Sequence, residues 1–141
     1  MELTDLAYVA GIVDGEGCID ITHRTRPGHK YPDFVLRVTV TSTDLWLCQM
    51  LKIGFGGKVS ERSKLRITRQ RTWDWHIERG HAGDFLKLIL PYLHLKKPQA
   101  EVGIKFQNAR GRHATRHSDE RRAVAEAQRI VLQTMKHNKV N

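Results

Sequence analysis

The sequence predicts an α+β fold in which helices cover one face of a four-stranded antiparallel sheet. Its 141 residues suffice for one domain with a sizeable core. Two pairs of short segments alternate apolar and polar residues, and helical patterns precede, separate and follow these pairs. The expected order is αββαββα with further helices at the C-terminal end. We assign residues 1–110 to the core and residues 111–141 to a basic linker and a helix packed on the same domain.

The first three elements follow from local patterns. A helix should run from about Asp5 to Asp14, with Thr4 as its N-cap. Two strands follow, at about residues 19–24 and 36–41, where isoleucine, leucine and valine alternate with polar or basic residues. The pair therefore has one apolar face and one polar, partly basic face.

The middle of the chain repeats this arrangement. A helix over residues 44–53 should be capped by Thr43 or Ser42. A second strand pair is predicted at about residues 58–62 and 72–79, joined by a link rich in Lys and Arg. Its last strand alternates tryptophan and isoleucine with acidic residues and histidine, which again gives one face of each kind.

Helices complete the chain. One is predicted over residues 82–90, and another from Pro98, at its first position, to about Ala109. A polar, basic break precedes a last helix, which Ser118 can cap. Because helices cover only one face, the polar face of the sheet stays open. A twisted ribbon of this kind fits the major groove of B-DNA.

Charge indicates the same kind of partner. Lys and Arg number 24 against 15 Asp and Glu, so the net charge is +9, and the isoelectric point near 9.9 is typical of nucleic-acid binders. Residues 1–20, however, hold five acids and no Lys or Arg. A basic body suited to phosphates thus encloses one acidic segment suited to a divalent metal. The alternative is a solvated basic surface with chance clustering.

Other classes of protein are disfavoured. No apolar stretch approaches 18 residues, and the N-terminus lacks a secretory signal, so we expect no membrane partner and an intracellular location in cytoplasm, nucleoid or organelle matrix. The only cysteines, Cys18 and Cys48, are expected as buried thiols. His113 and His117 have the spacing of zinc ligands, but no cysteine or acid pair completes such a site.

The first helix carries a stripe of small residues. Ala7, Gly11 and Gly15 are spaced by four, so they line one side of the helix. Glycine costs about 1 kcal/mol relative to alanine inside a helix, so two of them in a short helix indicate a packing role. Small residues at this spacing let two helix backbones approach closely.

Two acids close this helix. Asp14 and Glu16 lie at its C-terminal end, where the helix dipole disfavours negative charge. A carboxylate there calls for a cation partner, and Mg²⁺ is typically held by one or two carboxylates, waters and substrate phosphates. The end of the first helix is therefore a candidate metal site.

Residues 9–17, Val-Ala-Gly-Ile-Val-Asp-Gly-Glu-Gly, resemble position for position the nonapeptide that names the LAGLIDADG homing endonucleases. The order of strands and helices over about residues 3–110 is also similar to that family and implies its αββαββα fold. Residues 91–100, Pro-Tyr-Leu-His-Leu-Lys-Lys-Pro-Gln-Ala, resemble the family stretch that carries an active-site lysine. On that match the lysine is Lys96.

The resemblance implies a site-specific homing endonuclease, intron-encoded, that makes a double-strand break in a long, near-palindromic DNA target. Cleavage would be Mg²⁺-dependent phosphodiester hydrolysis that leaves 3′ overhangs. Mn²⁺ would substitute, and Ca²⁺ would bind without cleavage. Members with one motif act as homodimers, so two copies of the first helix would pack through Ala7, Gly11, Asp14 and Gly15.

The resemblance also assigns roles at the site. Glu16 and Lys96 would be catalytic, and Glu16 with the Gly15 carbonyl would bind the metal near the scissile phosphates. Asp14 would brace the helix ends rather than bind metal. Homodimeric relatives often carry a Gln late in the second strand and an Arg at the next helix start. Here those places hold Val40, or Thr41 in a shifted register, and Asp44.

The alternation of the strands and the basic loops predict the DNA contacts. Arg can read guanine through two hydrogen bonds, Asp can accept from cytosine, and loop cations suit phosphates. For any single residue the alternative is a solvated strand edge. The predicted contacts are Asp20, Thr22, Arg24, Arg26, Arg37, Thr39, Thr41, Ser60, Arg62, Lys64, Arg66, Arg69, Arg71, Asp74 and His76.

Two further sets of residues have two interpretations each. The three tryptophans, Trp46, Trp73 and Trp75, can stack on bases, but their spacing favours the core. The basic C-terminal segment forms either an arm on the DNA backbone or a solvated helix face. Its residues are Arg110, Arg112, Arg116, Arg121 and Arg122.

The alternative function is a non-cleaving binder of the same family, such as an intron RNA-splicing maturase with RNA as its partner, or a regulator. The pair Glu16 and Lys96 favours the nuclease, because a neutral residue at position 16 would suit a binder. A generic basic RNA-binding protein is a third interpretation. It would leave the arrangement of Gly11, Gly15 and Glu16 unexplained.

Overall fold

A computed structural model describes residues 2–62, 70–110 and 119–137, and it confirms the α+β fold. The elements are α1 (Leu3–Glu16), β1 (Gly17–Arg24), β2 (Asp33–Ser42), α2 (Leu45–Phe55), β3 (Lys58–Glu61), β4 (Trp73–Glu78), α3 (Arg79–Ile89), a 3-10 turn (Leu90–Tyr92), α4 (Lys97–Arg110) and α5 (Asp119–His137). Among these helices, none has both the length and the apolar character that crossing a membrane requires.

The four strands form one antiparallel sheet in the order β1-β2-β4-β3. Its register pairs Cys18 with Thr39, Thr39 with His76 and His76 with Lys58, so one row of side chains crosses all four strands. Side chains that lie opposite each other share a face. This row therefore belongs to the polar face that the alternation predicted.

The core lies between the other face of the sheet and the helices. Ile19, Val38 and Trp75 are fully buried there, with α1, α3 and α4 packed on the strands. Helix α4 comes close because Gly103 has no side chain, and an added Cβ would lie 2.9 Å from Leu36 Cδ1. Burying such side chains stabilises the fold by about 1.5–3 kcal/mol each, and it fixes the helices relative to the polar face.

The start of α1 differs from the prediction. The helix begins at Leu3, with Glu2 as N-cap, so Thr4 lies inside it. The backbone N–H of Glu2 donates to Asp5 Oδ2 at 3.2 Å, which ties the acid in the first turn to the capping residue. The predicted N-cap was therefore wrong because an acid three residues after Glu2 stabilises an earlier start.

The cap of α2 also differs. Asp44 is the N-cap, and its Oδ1 accepts from the backbone N–H of Trp46 at 2.9 Å. Ser42 contacts the capping residue rather than the helix, since its hydroxyl oxygen accepts from the backbone N–H of Asp44 at 3.0 Å. The expectation of Thr43 or Ser42 as cap was wrong because aspartate caps at least as well as threonine.

Two predictions of burial also need correction. Trp46 is 62% exposed on α2, whereas Trp75 is fully buried and donates from Nε1 to the Gly56 carbonyl at 2.8 Å. Cys48 is buried as expected, but Cys18 is only partly buried. Cys18 alternates with buried Ile19 and so lies on the polar face, where no core covers it.

The last helix, α5, lies against β1 and α4. Ala125 and Leu132 are its buried residues. Near its C-terminal end, Lys136 forms an ion pair with Asp20 on the polar face of β1. Ser118, the expected cap, lies outside the described residues, and so do Arg112, His113, Arg116 and His117.

Candidate functional site

One side of α1 is open. Ala7, Gly11 and Gly15 are all exposed, and so are Leu3 at 69% and Tyr8 at 57%. A Cβ added at Gly11 or Gly15 would meet no atom within 4 Å. Nothing in the described part of this chain therefore requires glycine at these positions, and the stripe remains available for another surface.

Glu16 stands at the end of this open side. Its side chain is exposed and, within the described ranges, makes no hydrogen bond or ion pair. The carboxylate is therefore available to a cation. Those ranges contain no group of three or more His, Cys, Asp and Glu residues able to hold a metal.

Asp14 links α1 to the segment before α4. Its carboxylate accepts from the backbone N–H groups of His94 at 2.8 Å, Leu95 at 3.1 Å and Lys96 at 2.9 Å. Burial raises the pKa of this carboxyl, but the three N–H groups and the charge of His94 lower the pKa by more, so that it lies below its usual value. Asp14 thus braces two segments about 80 residues apart.

Lys96 also links the segment before α4 to the end of α1. Its Nζ donates to the backbone carbonyls of Val13 at 3.0 Å and Asp14 at 2.7 Å. These carbonyls belong to the last turn of α1, where a cation is stabilised by the helix dipole. The fold therefore brings Lys96 and Glu16, the two residues predicted as catalytic, to one end of α1.

Replacing Asp14 with Ala should destabilise the protein by about 2 kcal/mol, because three N–H groups lose a charged acceptor. Urea unfolding at pH 7 measures this, with Asp84→Ala on the exposed side of α3 as control. Since the pKa of Asp14 is lowered, its contribution is complete above the ordinary value of 3.8 and is lost as the pH falls through the folded-state pKa. If the free energies of unfolding of Asp14→Ala and wild type differed as much well below that pH as they do at pH 7, this account would be contradicted.

The polar face of the sheet gathers most of the predicted contacts. One row is formed by Thr41, Asp74 and Ser60, and Thr41 donates its hydroxyl hydrogen to Asp74. The next same-face rows contain Thr39 with His76, and then Arg37. The sheet therefore places these predicted residues side by side.

Two carboxylates that the site prediction omitted organise the arginines at one end of this face. Glu78 Oε1 lies 2.7 Å from Arg24 Nη2. Asp33 Oδ2 lies 3.1 Å from Arg26 Nη2 and 2.9 Å from Arg79 Nη2. Alternation had placed Glu78 on the polar face, but only the register of three strands shows which arginines reach it.

Arg79 is unusual in its backbone. Its φ is 58°, in the left-handed region that non-glycine residues rarely adopt. It follows β4 directly and begins α3, and its guanidinium is held by Asp33. The ion pair fixes the side chain at the point where the chain turns from the sheet into the helix.

The carboxylate of Asp20 already binds two side chains of the same chain. The Cys18 thiol donates to Asp20 Oδ2 at 2.9 Å, and Lys136 binds Oδ1. Burial and the neighbouring Asp20 carboxylate raise the pKa of the Cys18 thiol, against the opposing effect of Lys136. Asp20 therefore anchors α5 to β1, a role that alternation alone did not predict.

His76 lies in the middle of the polar face. Burial and the nearby charge of Arg37 lower the pKa of its imidazole below 6.5, so the ring is neutral at pH 7. Its Nδ1 is buried and has no hydrogen-bond partner among the described residues. The neutral ring therefore adds no positive charge to this face.

The loop cations fall into two groups. Lys64, Arg66 and Arg69 lie outside the described residues. Arg71 is exposed and makes two hydrogen bonds to Glu61, at 2.8 and 2.9 Å, and its guanidinium lies 5.4 Å from the centre of the Trp73 ring. Of the C-terminal cations, Arg110 is partly buried and donates to the Phe34 carbonyl at 2.9 Å.

The two departures from the family pattern have structural roles. Val40 is fully buried opposite Gly17, and Asp44 caps α2. Thr41, the alternative in a shifted register, is engaged by Asp74. Of these candidates, Lys96 is therefore the one that the described structure places at the end of α1, where Glu16 also lies.

No protein-family model matches the chain, and none of the curated proteins matches it. Solved structures do. The homing endonuclease I-CvuI, in complex with the I-CreI target in the presence of Mg with the DNA not cleaved, gives a TM-score of 0.80 at 20% identity over 94% of this chain and 82% of that chain. The archaeal intron-encoded homing endonuclease I-Vdi141I, complexed with DNA, gives 0.75 at 14% identity over 94% and 84%.

A third structure, the homing endonuclease I-TnaI, gives a TM-score of 0.66 at 18% identity over 98% of this chain and 99% of that chain. The meganuclease I-SmaMI, bound to uncleaveable DNA, gives 0.60 at 25% identity, and this chain spans 42% of its length. The chain therefore has the fold of these homing endonucleases, and the resemblance predicted from the sequence is confirmed at that level.

Proposed function

We propose that this protein is a site-specific homing endonuclease that cuts both strands of a long, near-palindromic DNA target. The observation that carries the proposal is the exposed carboxylate of Glu16, which has no partner in the described part of the chain, at the end of an open small-residue face of α1. Lys96 lies at the same helix end. Solved structures with this fold include homing endonucleases in complex with DNA, which supports a nuclease over a binder without chemistry.

The proposed active form is a homodimer. Two copies of α1 would pack through Ala7, Gly11, Asp14 and Gly15 about a two-fold axis, since a self-complementary face pairs with itself under that symmetry. Because α1 ends at Glu16, this packing would bring both copies of Glu16 close to the axis. The single acid supplied by each chain would then become a pair, one for each DNA strand.

Mg²⁺ fits the donors that this chain offers. It prefers carboxylate and carbonyl oxygens and keeps waters and substrate phosphates as its other ligands, and Glu16 with the Gly15 carbonyl would hold it. When bound, such an ion lowers the pKa of a water and stabilises charge on the phosphate. Lys96 would add a positive charge beside the phosphate, and Asp14 would hold the segment that carries Lys96 in place. Mn²⁺ would substitute, and Ca²⁺ would support binding alone.

The DNA would lie along the polar face of the sheet. Arg37, Thr39 and His76 are central on this face, whereas Arg62 follows the edge strand β3 and Arg71 lies just before β4. Central side chains would contact base edges, and peripheral cations would contact phosphates. The protein would act inside the cell, and its gene would lie within an intron, as the gene of the intron-encoded I-Vdi141I does.

A selection for cleaved sites from a random double-stranded DNA library tests this proposal. We expect one long, near-palindromic sequence to be enriched in Mg²⁺, cut on both strands with 3′ overhangs, and to be bound but intact in Ca²⁺. Sequence-specific binding without any cleavage in Mg²⁺ or Mn²⁺ would instead identify a non-cleaving binder. Preference for RNA over DNA would identify the maturase alternative.

A further inference from the structure

Three strands meet at Glu78. The carboxylate extends from the end of β4, and its Oε1 lies 2.7 Å from Nη2 of Arg24, at the end of β1, and 3.8 Å from Nη1 of Arg37, on β2. Two guanidinium groups from separate strands therefore converge on one oxygen atom. Their backbones are far apart, because Arg24 pairs with Asp33, which lies four residues before Arg37 on β2. The charged ends of the two side chains are therefore much closer together than their backbones.

The carboxylate has a physical reason to be here. Two guanidinium groups that approach the same oxygen atom repel each other, and the negative charge of Glu78 offsets that repulsion. Burial raises the pKa of Glu78, but Arg24 and Arg37 lower the pKa by more, so it stays below its usual value and the side chain remains charged. The carboxylate draws the two long side chains toward one point before any ligand binds, which lowers the entropic cost of binding.

Most hydrogen-bond donors of the two arginines remain unused. A guanidinium has five N–H groups, and Arg24 uses Nη2 on Glu78. Arg37 approaches Glu78 at 3.8 Å through Nη1, and within the described residues its Nη groups make no hydrogen bond. Both groups can still form the paired hydrogen bonds by which arginine recognises O6 and N7 of guanine.

The position favours bases over phosphates. A carboxylate among phosphates would be repelled, whereas next to base edges it can accept from the amino group of cytosine. Oε2 of Glu78 makes no hydrogen bond in the described residues. An arginine pair with a carboxylate between its members therefore suits two G·C base pairs, with donors for guanine and an acceptor for cytosine.

We propose that Arg24 and Arg37 read two neighbouring guanines in each half of the DNA target, and that Glu78 is the residue that positions both guanidinium groups. This inference rests on the proposed function. Neighbouring base pairs are about 3.4 Å apart along one strand, and the two guanidinium groups approach the same carboxylate oxygen at 2.7 and 3.8 Å, so they lie close enough together to serve neighbouring base pairs. The target should therefore contain two adjacent G·C pairs in each half.

Selection of bound DNA from a random library in Ca²⁺ tests the inference without depending on cleavage. Wild type should enrich sites with two adjacent G·C pairs per half, and Glu78→Gln should lower the preference at those two positions by about tenfold. Arg24→Lys and Arg37→Lys should each relax one of the two positions, because lysine cannot form the paired hydrogen bonds. These two variants keep the inference testable if Glu78→Gln folds poorly.

Glu61→Gln is the matched control, since Glu61 also holds an arginine, Arg71, on the same sheet. It should leave the preference at both positions unchanged. Enriched sites without adjacent G·C pairs, or an unchanged profile in Arg24→Lys and Arg37→Lys, would overturn this inference alone. A wild-type protein that enriches no sequence would overturn the proposed function, and this inference with it.

Discussion

Glu16→Gln should abolish DNA cleavage and leave DNA binding nearly intact. The substitution keeps the size of the side chain but removes the acid at the end of α1 that has no partner among the described residues. Loss of a charged group that acts on the transition state should lower the cleavage rate roughly a thousandfold or more. Affinity should change little, because a carboxylate makes no favourable phosphate contact of its own.

The structure makes this variant a clean test of chemistry. Glu16 is exposed and, in the described ranges, has no side-chain partner to lose, so thermal unfolding should stay within the range of an ordinary surface substitution. Glu101→Gln, an exposed acid on α4, is the control and should cut DNA at the wild-type rate. Cleavage by Glu16→Gln at the wild-type rate in Mg²⁺ would reject the assignment of this residue.

Local patterns predicted the fold because helices and strands are encoded over a few neighbouring residues. The alternation around Ile19 and Val38 placed the core face and the polar face correctly. The caps were harder, since Glu2 and Thr4, or Ser42 and Asp44, compete over two or three positions with similar energies. Such small differences shift the start of a helix but not its existence.

Contacts between distant segments could not be predicted in the same way. The pairing of Asp14 with the backbone of residues 94–96 spans about 80 residues, and the meeting of Arg24 with Glu78 spans 54. These contacts depend on strand register and helix packing, which periodicity does not encode. The family resemblance supplied Lys96 as a candidate, and the structure shows that it lies at the end of α1.

Gly11→Leu should convert the proposed homodimer into monomers and thereby prevent cleavage of both strands. Two added side chains would face each other across the two-fold axis, and overpacking of this kind costs about 1–3 kcal/mol per site. For two copies this corresponds to a dimer dissociation constant roughly 30 to 2 × 10⁴ times larger. Sedimentation velocity over a range of protein concentrations measures the change.

The folded chain itself should tolerate the substitution. Apart from the backbone of α1 itself and the chain neighbours, no atom of the described residues lies within 4 Å of a Cβ built at Gly11, and leucine is a better helix former than glycine by up to about 1 kcal/mol. A monomer that is no less stable to urea, together with a lost dimer, separates an interface effect from misfolding. Gly80→Leu, at an equally open glycine on α3, should leave the dimer intact. A Gly11→Leu variant that still sediments as a dimer would place the interface elsewhere, and the pairing of two Glu16 carboxylates would then lose its physical basis.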